Sequence, residues 1–446
     1  MPTSATRQPL SSQLTRMLQQ REIYQYGTHS GPLSIPDLLL IACLALAPLC
    51  FLSVRSWTNL FVLFLILLAA WQLAGTKASF TVLRGNKSAL WIIGAMTSPL
   101  AAVAIGELIR TQLQTTLLDG PSRCFLAGLL FIYLLQKQID FVRLLEWVAP
   151  VSLFILGCLL WLHPYAYSAA TIGRFGTVAV DPLSLGQYAT LFGFICLYTL
   201  NLYGDDHLTL KIFKLLGILV ALWISIGTAS RSGWVAIPLL LAIWVVCVRR
   251  IRNPSRLLLA LLIFILCGIA IYTWTPIVHD RIAVAASDYS AYFTQKNRDT
   301  PAGLRIAMLK MAGLLFLENP LSGYGDINYP ALASIPSIAS FNTEALEFAL
   351  IHNGVHNEIM QNALRSGIFG LISSLMMFCV PAVVFYRGSF SKVPSVRAAG
   401  LVGLCYIVAV FCFGLSTETF NLKYTISFYA LMVATLAAQV LRPQAS

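Results

Sequence analysis

Residues 257–275 read LLLALLIFILCGIAIYTWT, a run without a charged side chain. Coiled as a helix at about 1.5 Å per residue, it matches the hydrocarbon thickness of a bilayer and is too long for a buried strand. Comparable runs recur at 35–53, 58–75, 88–107, 122–136, 145–163, 183–203, 211–228, 233–248, 357–386, 397–415 and 423–441. The 446-residue chain is 58% hydrophobic and 11% charged, more apolar surface than one soluble core can bury. The expected fold is an all-α polytopic membrane protein. It has about twelve transmembrane helices and a long, partly helical outward loop between helices 9 and 10.

Lys and Arg are retained on the cytoplasmic side of short loops, so their spacing sets orientation. Alternate loops carry Lys77, Arg84 and Lys87; Lys137 and Arg143; Lys211 and Lys214; Arg249, Arg250, Arg252 and Arg256; Arg387, Lys392 and Arg397. Arg7, Arg16 and Arg21 precede the first run and Arg442 follows the last, which puts both termini in the cytoplasm. The chain then divides into a cytoplasmic tail 1–33, helices 1–9 over 34–275, an outward region 276–355, helices 10–12 over 356–441 and a cytoplasmic end 442–446. The tail lacks the short apolar core and cleavage site of a signal peptide, so the first span is expected to stay. The ten cysteines lie in or beside spans, which argues against a disulfide framework. No Cys/His spacing resembles a metal site and no nucleotide loop is present.

The hydrophilic stretch 276–355 exceeds a connector and should fold over the outer membrane face. Within it Gly303 to Leu317 reads as a short amphipathic helix, with Asn319-Pro320 as its stop. Gly323-Tyr324-Gly325-Asp326 reads as a tight turn. Outward positions usually carry few basic residues, yet Arg174, Arg231, Arg281, Lys296, Arg298, Arg305 and Lys310 all fall there. This excess fits an anionic partner, because a guanidinium donates two hydrogen bonds to a phosphate or carboxylate. Membrane lipid head groups are the competing reading, and no nucleic-acid partner is expected.

Individual residues divide the same way. Arg231 lies in the short turn Gly227–Trp234, where an arginine is either functional or an interface anchor. Arg174, between Gly173 and Phe175, is a site candidate or a loop residue. Gly323 and Gly325 form a turn, or aim backbone amides at a phosphate. The stretch HNEIMQNALRSGIFG, residues 356–370, sets His356 at the mouth of an apolar helix. At about 3.6 residues per turn His356, Ala363, Gly367 and Gly370 fall near one face, so the imidazole stands above a stripe of small residues that admits a close neighbour. His356 is then a cap or head-group histidine, or a base held at the membrane surface. His352-Asn353 repeats the His-Asn pair and competes for the same role.

Together these residues resemble the O-antigen ligases and related periplasmic oligosaccharyltransferases. His356-Asn357, nine residues, then Gly367 and Gly370 fit the pattern H-[N/S/Q]-x9-G-x-x-[G/T/Y] of that family. Ser230-Arg231-Ser232-Gly233 is similar to its Ser-Arg turn. Arg305 followed by Glu318-Asn319-Pro320-Leu321-Ser322-Gly323-Tyr324-Gly325 is similar to its arginine and NP-x-x-G-x-G segment. The histidine pattern is fairly specific, whereas the shorter pieces carry weight only in their order.

The resemblance implies transfer of an undecaprenyl-diphosphate-linked glycan onto a sugar hydroxyl of lipid A core, at the periplasmic face of a bacterial inner membrane. On that reading His356 is the general base, and Arg231 and Arg305 clamp the diphosphate. Arg174 assists, and Asn357, His352, Gly323 and Gly325 lie at the substrate. Histidine suits proton removal near neutrality, and arginines suit the departing diphosphate. No metal or other cofactor is implied, and with no obvious carboxylate nucleophile a direct displacement would invert the sugar. O-antigen polymerases share the scaffold and protein O-oligosaccharyltransferases share the histidine motif; chain length and the lack of an added soluble domain favour the ligase. A secondary transporter is the competing class, though no internal repeat is visible; a non-catalytic scaffold gives no account of the outward arginines.

Overall fold

The computed structural model describes residues 34–443 apart from 55, 76–82, 164–172, 179, 252, 295 and 334. The expected tail 1–33, Lys77, Arg252 and residues 444–446 lie outside the described residues. The first half forms α1 (Ile35–Cys50), α2 (Trp57–Ala74), α3 (Lys87–Arg110), α4 (Asp119–Leu134) and α5 (Phe141–Leu162). Then come α6 (Pro182–Thr199), α7 (Leu208–Thr228), α8 (Arg231–Ile243) and α9 (Pro254–Trp274). An outer region follows as α10 (Pro276–Phe293), α11 (Pro301–Glu318), α12 (Tyr329–Ala333), α13 (Pro336–Ala339) and α14 (Glu344–Asn353). The chain closes with α15 (Glu358–Gly388), α16 (Pro394–Gly414) and α17 (Lys423–Leu441). No strand occurs among the described residues, and the protein is an all-α polytopic membrane protein.

Ten helices among the described residues are long and apolar enough to cross a membrane. Two further expected spans fold as helices of another kind. The first, α1, has 16 residues. The sixth, α6, is buried along nearly its whole length and begins at a Pro182 capped by Asp181, whose Oδ1 accepts from the Leu183 and Ser184 amides.

Burial separates the centre of the bundle from its edge. In α16 and α17, 83% of the spanning window is inside the protein, whereas no residue of α9 is buried. Helix α9 therefore lies at the edge of the bundle and packs chiefly on α10, which follows it after Thr275. The outer region has a core of its own, made by Ala307, Met308, Met311, Ala312 and Leu315 of α11 with Tyr329, Ile338, Phe341, Leu346 and Leu350. Leu364 of α15 belongs to that core, which ties the outer layer to a spanning helix. The amphipathic helix read at Gly303–Leu317 is α11, capped by Thr300 and ended before Asn319-Pro320.

The small-residue stripe on α15 is corrected by the backbone. His356 lies outside the helix, whose cap is Asn357, and the helix is interrupted at Ser366 (φ −132°) and Gly367 (φ 59°). A periodicity carried through that break cannot hold Gly367 and Gly370 on the face of the first turns. A neighbour does pack closely here, since α3 lies along α15, but the close approach at Gly367 is made by a loop.

Candidate functional site

The loop Asn319–Gly325 and the interruption of α15 complete each other. Breaking a helix orphans backbone groups that must find partners. The carbonyls of Leu364 and Arg365 accept from the amides of Tyr324 (2.7 Å) and Gly325 (3.0 Å), and the Ile368 amide donates to Pro320 (2.7 Å). Gly367 lies so close to the Pro320 and Leu321 carbonyls that a β-carbon would come within 2.5 Å of both. Gly323 (φ 62°) stands equally close to the Leu364 carbonyl. Arg110, at the end of α3, fastens the joint by donating to the carbonyls of Ser322 and Arg365. The amides of Gly323 and Gly325 are thus used inside the protein, on Asn319 and Arg365, and the two glycines serve the joint by their shape.

The His356 turn precedes the same helix. His356 has φ 55°, a left-handed conformation that is uncommon outside glycine, and Gly354 two residues earlier has φ 63°. Asn357 caps α15 by accepting from the Met360 amide at 3.0 Å and donates to the Leu415 carbonyl at 3.4 Å. Its polar atoms hold the helix start. The His356 ring has no hydrogen-bond partner among the described residues. Burial, helped by the nearby Arg305 guanidinium, lowers its pKa to about 4. The imidazole is consequently neutral at physiological pH.

Four arginines gather beside it. Arg174 donates from Nε to the Thr228 carbonyl at 2.7 Å and packs its loop on the end of α7, with the Phe175 amide on the Gly227 carbonyl. Arg231 opens α8 and reaches the Arg281 carbonyl of α10 at 3.3 Å. The preceding Ser230 donates to Leu183, and Ser232 accepts from Gln187, so the Ser-Arg turn is pinned to α6. Burial lowers the pKa of Arg305, and Arg231 lowers it further; its buried Nε has no hydrogen-bond partner. Burial also lowers Arg174, with contributions from Arg281, Arg231 and Arg305. Mutual repulsion of this kind is relieved by an anion of more than one charge.

A cavity of about 850 Å³ opens beside the cluster, lined by Arg174, Asp181, His352, His356, Arg365 and Glu418 among others. This is ample for a diphosphate with sugar. His352 stacks on Phe348 at 4.1 Å and its Nδ1 lies 2.8 Å from the Phe348 carbonyl, leaving the rest of the ring to the cavity. Arg231 and Arg305 are outside the lining and act on it through charge. The reading of the sequence did not place Arg281, Arg365 or Glu418 in the site. Only Arg281 carried a signal, as one of the surplus outward basic residues. Glu418 puts a carboxylate on the wall where none was expected. Among the described residues, no three His, Cys, Asp or Glu side chains converge as a metal site.

Residues 216–375 match the family model for O-antigen ligase. That segment runs from inside α7 to inside α15 and contains Arg231, Arg281, Arg305, the 319–325 loop and His356, while Arg174 and Glu418 lie beyond it. An uncharacterised protein of Haemophilus influenzae is 22% identical over 303 residues, covering 66% of this chain and 72% of that protein. The O-antigen ligase of Escherichia coli K12 is 29% identical over 140 residues, covering 30% of this chain and 32% of that protein.

Proposed function

This chain belongs to the O-antigen ligase family, and from that premise we propose that it transfers a glycan from undecaprenyl diphosphate to a sugar hydroxyl of lipid A core. On this proposal the reaction occurs at the periplasmic face of the bacterial inner membrane. The observation that carries this reading is the neutral His356 ring, free of hydrogen-bond partners among the described residues. It lies on the wall of a cavity of about 850 Å³, beside a cluster of arginines whose charge Asp181 and Asp288 meet only in part.

In the proposed chemistry Arg174, on the cavity wall, bonds the donor diphosphate, and Arg231, Arg281 and Arg305 behind the wall stabilise it through charge. Their repulsion falls as its negative charge enters. That same charge offsets the field of Arg305 on His356, so donor binding makes the imidazole a stronger base. His356 takes the proton of the acceptor hydroxyl as that oxygen bonds to the anomeric carbon. The bond from that carbon to the diphosphate breaks, and its electron pair departs on the diphosphate, stabilised by the guanidinium groups. A single displacement inverts the anomeric centre. Fixed cations meet the charge of the leaving group, so transfer is expected to continue in EDTA.

The test is a transfer assay with purified protein, both lipid substrates and labelled donor glycan. Label on lipid A core supports the ligase; longer undecaprenyl-linked chains or label on protein would assign the scaffold to polymerase or protein glycosylation. His356→Ala should lose transfer by about a hundredfold or more while still binding the lipid-linked donor. Full turnover in that variant removes the proposed base.

A further inference from the structure

A second cavity, of about 220 Å³, lies in the outer layer and shares no lining residue with the first. Its wall is made by Tyr292 and Phe293 at the end of α10, Arg298 and Asp299 in the loop that follows, Lys310 of α11, and Phe341 shortly before α14. Two helices connect it to the catalytic cavity. Helix α14 sets Thr343, its cap, and Leu346 at the second cavity and Leu350, Ile351 and His352 at the first, so its ten residues, about 15 Å long, run between the two. On α11, Leu304, Ala307 and Lys310 follow at three-residue steps along the second cavity, while Arg305 falls on roughly the opposite face, near His356.

The loop that carries Arg298 is fastened at both sides. The Thr300 hydroxyl accepts from the Gly303 amide at 3.2 Å, and Gly303 packs so tightly on the Arg298 carbonyl that a β-carbon would come within 2.4 Å of it. The Thr343 hydroxyl donates to Asp299 at 2.6 Å and accepts from the Leu346 amide at 3.1 Å. The cavity is thus preformed. Arg298 and Lys310, two of the surplus outward basic residues, form no ion pair among the described residues. Lys310 Nζ lies 4.3 Å from the centre of the Phe341 ring. Tyr292 and Phe293 meet at 88° with ring centres 5.5 Å apart, and Phe293 is 70% exposed.

This combination selects its ligand. A sugar ring offers an apolar C–H face to an aromatic ring and hydroxyls to Asp299 and Thr343, while two cations against one acid call for a negative substituent. A lipid tail leaves the guanidinium unmet, and a bare phosphate makes no use of the rings. Resting on the glycosyl transfer proposed above, we propose that this cavity is a saccharide subsite. It holds one acidic sugar, carboxylated or phosphorylated, of the donor glycan or of the acceptor core, while the reacting ends meet at His356. A sugar held this far from the reacting atoms is gripped equally before and during the reaction, so the subsite acts on KM and leaves kcat alone.

The test uses the full-length protein in lipid nanodiscs and titrates glucuronic acid, glucose 6-phosphate, glucose and inorganic phosphate, with binding read by saturation-transfer NMR. Both acidic sugars should bind about tenfold or more tightly than glucose and than phosphate, and the double variant Arg298→Gln, Lys310→Gln should lose that preference. Glucose binding as well as the acidic sugars overturns the subsite, because the cations then contribute nothing. So does phosphate binding as well as glucose 6-phosphate, because the rings then contribute nothing. A preference that survives in the double variant puts the sugar elsewhere and overturns it too. If the double variant fails to fold, each single substitution decides by the same preference. Competition with donor oligosaccharide freed of its lipid diphosphate, and with core oligosaccharide freed of lipid A, distinguishes the source. Displacement of glucuronic acid by either supports the subsite; displacement by neither overturns it. In the transfer assay the folded double variant should raise KM for the displacing substrate about tenfold and keep kcat within about twofold. A fall in kcat with KM unchanged overturns the proposal. Failure of wild type to label any acceptor sinks the transferase reading itself and is separate from the sugar titrations, which need no turnover.

Discussion

Two side chains on one cavity wall titrate in opposite senses, and stability should record both. Glu418 is raised from an ordinary 4.5 to about 7, so the stability it contributes is present below pH 4.5 and lost as pH rises through 7. His356 is lowered from an ordinary 6.5 to about 4, so its contribution is full above pH 6.5 and lost as pH falls toward 4. Glu418→Gln cannot ionise, and its melting temperature should therefore gain on wild type between pH 5 and pH 8. A difference that stays constant over that range would mean the carboxylate is not held in its neutral form. The special place of His356 was legible from its motif. That of Glu418 was not, because a lone acid between two apolar runs looks like any solvated boundary charge until the fold sets it against Gly354.

At the scale of elements, the positions of the spanning helices could be read from apolar runs because the membrane imposes length and composition together. The interruption of α15 could not. Helix-forming residues run up to Arg365 and resume at Ile368, and nothing local says that the carbonyls there are claimed by a loop about forty residues earlier in the chain. Gly367→Ala should expose that dependence: a left-handed backbone and two carbonyls at 2.5 Å leave no room for a methyl group. A loss of about 1–3 kcal/mol is expected, read as a lower melting temperature together with faster proteolysis near 319–325. Unchanged stability would show that the joint yields easily. A second element-scale dependence lies among α5, α7 and the turn before α7. There Lys214, 0% exposed, bonds Glu146 at 2.8 Å and Asp206 at 3.0 Å. Lys214→Met keeps the bulk but strands two carboxylates, at an expected cost of about 3–5 kcal/mol in a denaturation measurement. Little change would mean that water reaches them.

Across the whole molecule, the outward arginines were conspicuous as residues but not as a group. Arg174, Arg231, Arg281 and Arg305 come from a loop and from α8, α10 and α11, and only tertiary folding brings their charges into mutual reach. The carbonyl that Arg231 reaches belongs to α10, which is also the main support of α9. Since α9 buries nothing, its tilt answers to the surrounding lipid, and a thinner or thicker bilayer should lean it one way or the other. The end of the protein that carries the proposed diphosphate site is then mechanically continuous with the acyl chains around it. Turnover in vesicles of graded chain length should pass through an optimum even though no lipid tail touches a reacting atom.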